Sequence, residues 1–271
     1  MRGIIRHDLY AGIGKQWGRM LVFPNIIGVC CMIAAGRVEV IFGEGACLSF
    51  SETAAFIFCG VQPYAVAREA AQPFEVPIFW IAVQLYTAYI IGSYPLHDMR
   101  MYGINMLIRT KSRRKWWLGK VLWTVAVILL LYLMAGLVVF LVSDHSLEHM
   151  WRIRGELWTL YDADLSAFSK EEIILMTVVF PVLTAEAMSL IQLFLMFAAD
   201  AVFAYAAVGF LCIGGAFYAS MWFLPSCSMI LRTMKYVLNG TVWKPLILLQ
   251  AACIISAAAG CVTVDRKDWL E

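Results

Sequence analysis

Long apolar runs, separated by shorter polar stretches, dominate this sequence. A run of about 20 apolar residues crosses the hydrocarbon core of a membrane as a helix. The runs are continuous rather than alternating, which favours helices over the strands of a barrel. They predict about six spanning helices, at residues 20–36 (with an extension to Phe42), 77–95, 116–142, 178–199, 201–222 and 245–263.

Proline and aspartate mark several of the expected helix ends. Pro77 is suited to the first position of a helix, and Pro95 predicts the end of the same helix. Residues 173–231 are almost entirely apolar, which is too long for one span and fits two. We therefore expect a tight turn at Asp200, near the middle of that run.

The first 19 residues alternate between apolar and polar character in a helical rhythm. Their apolar side chains recur three or four positions apart, with basic side chains between them. This pattern is typical of an amphipathic helix that lies in the membrane interface, with its cations near anionic headgroups. Arg6, Lys15 and Trp17 represent this interfacial helix, 1–19.

Three other segments are predicted to lie outside the hydrocarbon. The apolar stretch 54–61 is too short to span and is expected to be an interfacial or re-entrant piece on the outer side. Residues 143–172 read as an outer loop, and 223–243 as an outer helix and loop. Together with the spans, these segments form a single transmembrane domain over residues 1–271.

Composition agrees with this pattern. Of the 271 residues, 62% are hydrophobic and 15% are charged, and the mean hydropathy is +0.77. Soluble proteins average roughly 45–50% apolar and about 25% charged residues. The prediction is therefore an all-α integral membrane protein with an N-terminal interfacial helix and short outer helices, which excludes a soluble enzyme.

The distribution of basic residues predicts the orientation. With the N-terminus placed inside, the inner segments hold the larger share of the 21 Lys and Arg residues, many of them close to span ends. Positive charge near span ends favours the cytoplasmic side. We expect a multi-pass protein of the cell membrane with cytoplasmic N- and C-termini.

Motifs that carry chemistry are sparse. The phosphate-binding pattern GxxxxGK[ST] is absent from the sequence. His145, Glu148 and His149 form the string HxxEH, which occurs in one class of zinc peptidases, but it stands in a loop with no body to shape a cleft. Spacing leaves open whether Cys47 and Cys59 form a disulfide. We assign no catalytic, cofactor or metal residue.

Glu186 is the carboxylate placed deepest within a predicted span. Charge inside a membrane is costly, so such a residue is a functional candidate. It either faces a substrate path or lies in an interfacial water pocket, and we retain it as the candidate substrate-path residue.

The most polar stretch joins the second and third spans on the basic side. Within it, Tyr102, Met106 and Leu107 recur at helical spacing and a cationic turn follows. Either the stretch is a positively charged cytoplasmic anchor, or it contains a short helix that docks into another protein.

A set of short strings, spread over most of the chain, carries a resemblance to a known family. The strings are Phe79-Trp80, Ser93-Tyr94-Pro95, Asp98, Tyr102-Gly103, Leu107-Ile108-Arg109, Ser112-Arg113 and Trp116-Trp117-Leu118-Gly119-Lys120, followed by Pro225, Met229, Arg232 and Asp268. In these strings and in the order of its segments, the chain resembles bacterial ABC transporter permeases of the type-2 export class.

The resemblance implies a permease subunit that moves a peptide, drug or lipid-like substrate out of the cell. Such permeases pair with a second permease, identical or different, and with ABC ATPase subunits that bind ATP and Mg. No cofactor or enzymatic activity is then expected on this chain, and its other partner is membrane lipid rather than nucleic acid. The loop between the second and third spans holds the coupling helix of the family, which implies a cytoplasmic coupling loop at 98–115 with ATPase contacts at Tyr102, Asn105, Met106, Arg109 and Arg113.

Other functional classes remain open from the sequence. An ion-coupled secondary transporter would need paired polar residues in the membrane and internal repeats. A membrane-embedded metalloenzyme would depend on the HxxEH string. A non-transporting immunity or sensor subunit would share the hydrophobic pattern of a permease.

Overall fold

The computed structural model describes residues 8, 10–69, 74–98, 112–145, 149–161 and 163–266, and every regular element in these ranges is helical. The longer helices are α1 Val22–Phe42, α2 Phe50–Phe58, α3 Ile78–Asp98, α4 Arg113–Val142, α5 Lys170–Ala198, α6 Ala201–Phe217, α7 Ile230–Leu238 and α8 Trp243–Arg266. Shorter helical turns are Gly14–Gln16, Trp17–Met20, Tyr64–Glu69, Gly155–Leu157, Trp158–Tyr161 and Leu224–Ser228.

Helix α5 lies at the centre of the bundle. It packs against α3, α4, α6 and α8, while α1 packs against α3, α4 and α2. In the most apolar stretch of α5, 61% of the residues are buried, against 22–33% in α1, α4 and α8. The outer helices therefore surround α5 and turn much of their apolar surface outwards.

A π-helical turn, Leu175–Val179, interrupts α5 near its start. Pro181 follows it, and proline provides no N–H for the helix and clashes with the carbonyl four residues earlier, which belongs to Thr177. Widening the turn relieves that clash. The Thr177 hydroxyl donates to the carbonyl of Ile173 at 2.7 Å, which ties its side chain back to the preceding turn.

The outward faces of the bundle are apolar. On α4, a stripe of exposed leucines recurs every four residues, at Leu129, Leu133, Leu137 and Leu141. Helices α1 (with Trp17–Met20), α4, α5 and α8 are long and apolar enough to cross a membrane, and α3 and α6 contain shorter apolar stretches. At 1.5 Å per residue the four long helices reach about 36–45 Å, more than the roughly 30 Å of a bilayer core. The chain is therefore an all-helical protein compatible with membrane embedding.

Helix ends gather at two ends of the bundle. We call one the basic end: it contains Asp8, the end of α3, the start of α4, the α5–α6 turn and the end of α8. The opposite end contains α2, the 149–161 segment, the end of α6 and α7. Because Asp8 and Asp265 both contact α4 near its start, the two ends of the described chain lie at the same end of the bundle.

Several predicted boundaries are confirmed and others move. Asp200 caps α6 by accepting a hydrogen bond from the N–H of Phe203 at 2.7 Å, so the expected turn is present. Residues 223–243 do contain a helix, α7. The prediction that Pro95 ends its helix was wrong, because α3 continues to Asp98 and a buried ion pair holds that last residue.

Two loops are shorter than predicted, and one helix is shorter. Of the coupling loop 98–115, residues 113–115 already form the first turn of α4, whose N-cap Ser112 accepts a hydrogen bond from the N–H of Lys115. Helix α5 begins at Lys170, inside the predicted outer loop 143–172, because Ser169 and Glu172 form a capping box. Helix α6, predicted as the span 201–222, ends at Phe217.

Candidate functional site

A fully buried lysine organises the basic end. Lys120 stands two turns into α4, and its Nζ lies 2.6 Å from Asp8 Oδ1 and 2.6 Å from Asp98 Oδ2. The side chains of the two aspartates are 2% and 3% exposed. One ammonium therefore joins the N-terminal segment, the end of α3 and the start of α4; we call these three residues the Lys120 cluster.

Aromatic side chains enclose the Lys120 cluster. Tyr94 of α3 donates its hydroxyl to Asp8 Oδ1 at 2.8 Å, and the Lys120 ammonium lies 4.6 Å from the centre of the Tyr94 ring and 5.5 Å from that of Trp116. A cation over an aromatic face is attracted by the ring quadrupole, more so where water is excluded. The aromatic rings thus replace part of the hydration that burial removes from the ammonium.

Gly12 permits the N-terminal segment to approach so closely. A Cβ at this position would lie 2.2 Å from Nε1 of Trp123 and 2.9 Å from the ring of Tyr94, so any side chain would push the segment away. The Lys120 cluster and this close backbone approach therefore act together to hold residues 8–12 against α3 and α4.

The Lys120 cluster is sensitive to the removal of any member. Two carboxylates share one ammonium, and Asp8 Oδ2 accepts no hydrogen bond from the residues that the structure describes. Breaking a buried ion pair by deleting one partner costs about 3–5 kcal/mol, because the remaining charge is left without compensation. Small movements of α3, α4 or the N-terminal segment are therefore energetically coupled.

A second group of contacts fixes α8 to the start of α4. Arg114 Nε lies 2.5 Å from Asp265 Oδ2, and Arg113 Nη1 donates to the Asp265 carbonyl at 3.0 Å. The Arg114 side chain is 70% exposed, so this ion pair adds little stability by itself. Trp117 is buried and donates from Nε1 to the carbonyl of Ala257 at 2.8 Å, which supplies the firmer attachment.

Most of the predicted coupling residues lie outside the described part of the chain. They are Tyr102, Asn105, Met106 and Arg109. From the predicted interfacial helix, Arg6 and the side chain of Lys15 also lie outside the described part. Arg113 is described: it lies in the first turn of α4, exposed, and contacts the end of α8. Trp17 is 45% exposed at the basic end, on a helical turn that leads into α1.

Glu186 lies on α5, partly exposed, and forms no hydrogen bond or ion pair with the described residues. Its assignment to a substrate path stays a prediction.

A buried polar group occurs elsewhere in the bundle, where Ser228 accepts from Trp80 Nε1 at 2.8 Å and from Gln84 Nε2 at 3.2 Å and donates to the carbonyl of Pro225. The turn before α7 thus supplies an acceptor for the indole N–H of Trp80 and the side-chain amide of Gln84.

At the opposite end, a buried carboxylate holds the 149–161 segment in place. Glu52 of α2 accepts from the backbone N–H and the Nε of Arg154, both at 2.9 Å, and from the N–H of Ser49 at 2.9 Å. The hydrogen bond to Glu52 raises the pKa of Arg154 above its usual value. Beside this contact lies a polar cavity of about 490 Å³, which Asp144 and Arg152 also line.

The structure does not join the side chains that suggested a metal or a disulfide. Glu148 of the HxxEH string lies outside the described residues, and no three described His, Cys, Asp or Glu side chains could together hold a metal ion. The Cys47 thiol donates to the carbonyl of Gly45 and that of Cys59 to the carbonyl of Tyr161, and no disulfide joins these two cysteines.

From the sequence, Asp8 and Glu52 received no role, and Asp98 and Lys120 counted only as parts of a string. A signal was nevertheless present: Lys120 stands inside the apolar run that opens α4, and an ionised residue in an apolar helix requires an opposite charge nearby. Which carboxylates would meet it depends on packing between segments about 20 and 110 residues away.

Comparison with known proteins returns one family. No curated protein and no solved structure matches the chain. A family model described as a protein of unknown function, DUF2705, matches residues 40–270, which include Asp98 and Lys120 but not Asp8. Because this match covers most of the sequence, the chain belongs to the DUF2705 family.

Proposed function

We propose that this chain is the membrane-spanning permease subunit of an ABC exporter. It moves a peptide, drug or lipid-like substrate out of the cell, powered by ATP that separate ATPase subunits bind with Mg and hydrolyse. The chain itself has no enzymatic role, and a second permease subunit, identical or different, completes the transport path.

The observation that carries the proposal is the Lys120 cluster. Asp98 ends the helix that leads into the 98–115 segment, and Lys120 lies just inside the helix that leaves it. Their buried ion pair, with Asp8, links both flanks of that segment to each other and to the N-terminal segment. A loop with flanks held in this way transmits a push on it to two long helices as a rigid-body displacement.

The proposal includes six spans and a cytoplasmic basic end. In this arrangement α1, α3, α4, α5, α6 and α8 cross the membrane, and the interfacial helix and the 98–115 segment face the ATPase. Support for this orientation comes from the basic side chains at that end, which include Arg113, Arg114, Lys115 and Arg266. The even number of spans agrees with both ends of the described chain lying together.

Co-purification tests the proposal. Met106→Asp places a charge on the apolar face that the 98–115 segment would present to an ATPase. We expect tagged wild-type chain, extracted from native membranes, to bring with it a protein that carries a GxxxxGK[ST] loop and hydrolyses ATP. The Met106 variant should lose most of this ATPase while retaining its Tm.

Val66→Asp is the matched control. Val66 is 47% exposed and lies at the opposite end, beside the end of α6, so its variant should retain the ATPase. If the Met106 variant retained the ATPase and transport as wild type does, or if no ATPase accompanied the wild type, the assignment of the 98–115 segment would be wrong.

A further inference from the structure

Arg232 is a buried cation at the opposite end, and no carboxylate among the described residues pairs with it. It lies in the first turn of α7 and is 4% exposed. Its Nη2 donates to the carbonyl of Ala216 at the end of α6, at 2.8 Å. Its Nε and Nη1 donate to no acceptor among the residues that the structure describes.

A small cavity adjoins this guanidinium. It has a volume of about 10 Å³ and is lined by Ala219, Met221, Ser226, Cys227, Arg232, Thr233, Lys235 and Tyr236. Two of these residues are cations and none is a carboxylate. The volume is close to the minimum for one water molecule, so it admits a single oxygen atom rather than a whole anion.

The energetics of Arg232 favour an added anion. Burial lowers the pKa of Arg232 to about 10, and no acidic group offsets that shift. An unused donor on a buried charged group is costly, and the start of α7 adds the positive end of a helix dipole. An anion at the cavity would supply the missing acceptor and the opposite charge.

Exposed aromatic residues indicate where this cavity lies relative to a membrane. Tyr218 and Trp222 follow α6 and are 64% and 74% exposed, and Trp243 at the start of α8 is 56% exposed. Exposed Tyr and Trp side chains at helix ends are typical of the level of the lipid headgroups. Arg232 and the exposed Lys235 are therefore placed where phosphate groups are abundant.

We propose that Arg232 and Lys235 bind a phosphate group, presented by the headgroup of an anionic phospholipid. One phosphate oxygen enters the cavity beside Arg232, and the rest of the headgroup stays at its mouth near Lys235. This site lies at the end of the bundle away from the 98–115 segment, and it does not depend on an ATPase partner.

Thermal unfolding of the full chain in a phosphate-free maltoside detergent tests this site. Phosphatidylglycerol, phosphatidylcholine or inorganic phosphate is added to the wild type and to Arg232→Gln, Lys235→Gln and Lys244→Gln. At about 100 times its Kd, phosphatidylglycerol should raise the wild-type Tm by roughly 5–10 °C. Both the Arg232 and the Lys235 variant should lose most of that rise, and the Lys244 variant, which changes an exposed cation at the same end, should keep it.

The following outcomes decide whether Arg232 and Lys235 bind a lipid phosphate. A rise with inorganic phosphate alone, with no more from phosphatidylglycerol, would retain the phosphate site but overturn its assignment to lipid. An equal rise in all variants, or none in the wild type, would overturn the site and leave the cavity to a water molecule. If the Arg232 variant does not fold, the response of Lys235→Gln decides, because Lys235 is exposed and its replacement leaves the core intact.

Discussion

Replacing Lys120 with methionine removes the ammonium while keeping a side chain of similar length. The ammonium is fully buried and lies 2.6 Å from a carboxylate oxygen of each of Asp8 and Asp98. Methionine cannot compensate either charge, so two carboxylates would be left facing each other away from water. The N-terminal segment should then detach from α3 and α4.

The expected loss of Tm can be worked out from the burial of this ion pair. Losing one partner of a buried ion pair costs about 3–5 kcal/mol. In domains of 150–250 residues, 1 kcal/mol shifts Tm by about 2–4 °C, with smaller shifts in larger proteins. For this chain of 271 residues we expect Lys120→Met to lower Tm by roughly 6–15 °C.

Thermal unfolding in detergent, followed by circular dichroism, measures the loss. Lys115→Met is the matched control, because Lys115 is an exposed lysine on the same helix, and its Tm should equal that of the wild type. Adding Asp98→Asn to Lys120→Met should recover part of the lost Tm, since one of the uncompensated carboxylates is then gone. Trypsin should cleave after Arg19 faster in Lys120→Met than in the wild type, and no faster in Lys115→Met than in the wild type.

A Tm for Lys120→Met within 1–2 °C of the control value would contradict the role of Lys120 as the counter-ion of two buried carboxylates. So would a double variant less stable than the single one. Either result would mean that the three side chains are not enclosed together away from solvent.

Two further predictions concern packing and pH. Gly260→Ala should lower Tm, because the new Cβ would lie 1.9 Å from the Trp117 ring and overpacking of this kind costs about 1–3 kcal/mol. Gly209 has open space around it, so the control Gly209→Ala should leave Tm unchanged or raise it. Burial, with the Glu52 carboxylate nearby, raises the pKa of Tyr161 well above 10. The folded protein therefore keeps the Tyr161 hydroxyl proton at a pH at which the unfolded chain loses it, so stability is lost as pH rises above about 10. Tyr161→Phe, which has no such proton, should show a shallower fall of Tm between pH 10 and 11.

The hydrophobic pattern predicts the helices well because membrane crossing and helix burial both demand long apolar runs. Asp200 was located correctly, since an aspartate within an apolar run suits an N-cap and little else. Pro95 was misread because its local effect, the loss of one helical hydrogen bond, is outweighed by the distant ion pair of Asp98 with Lys120. Local signals succeed where no tertiary contact opposes them.

The candidate site was harder to predict for the same reason. The sequence indicates that Lys120 needs a carboxylate, and the chain offers 19 Asp and Glu residues. The choice of Asp8 and Asp98 follows from the antiparallel packing of α3 and α4 and from the close backbone approach at Gly12, neither of which is a local property. Likewise, nothing near Arg232 in the sequence indicates that its guanidinium would be buried beside a cavity without acids.

Photocrosslinking from two positions can show whether the 98–115 segment contacts an ATPase in the cell. A photoreactive benzophenone amino acid replaces Met106 in one strain and Val66 in another, and intact cells are irradiated. We expect the chain carrying the probe at 106 to be joined to an ATPase with a GxxxxGK[ST] loop, and the probe at 66 to join none. A crosslink to such an ATPase from position 66 and not from 106, or from neither position, would contradict it.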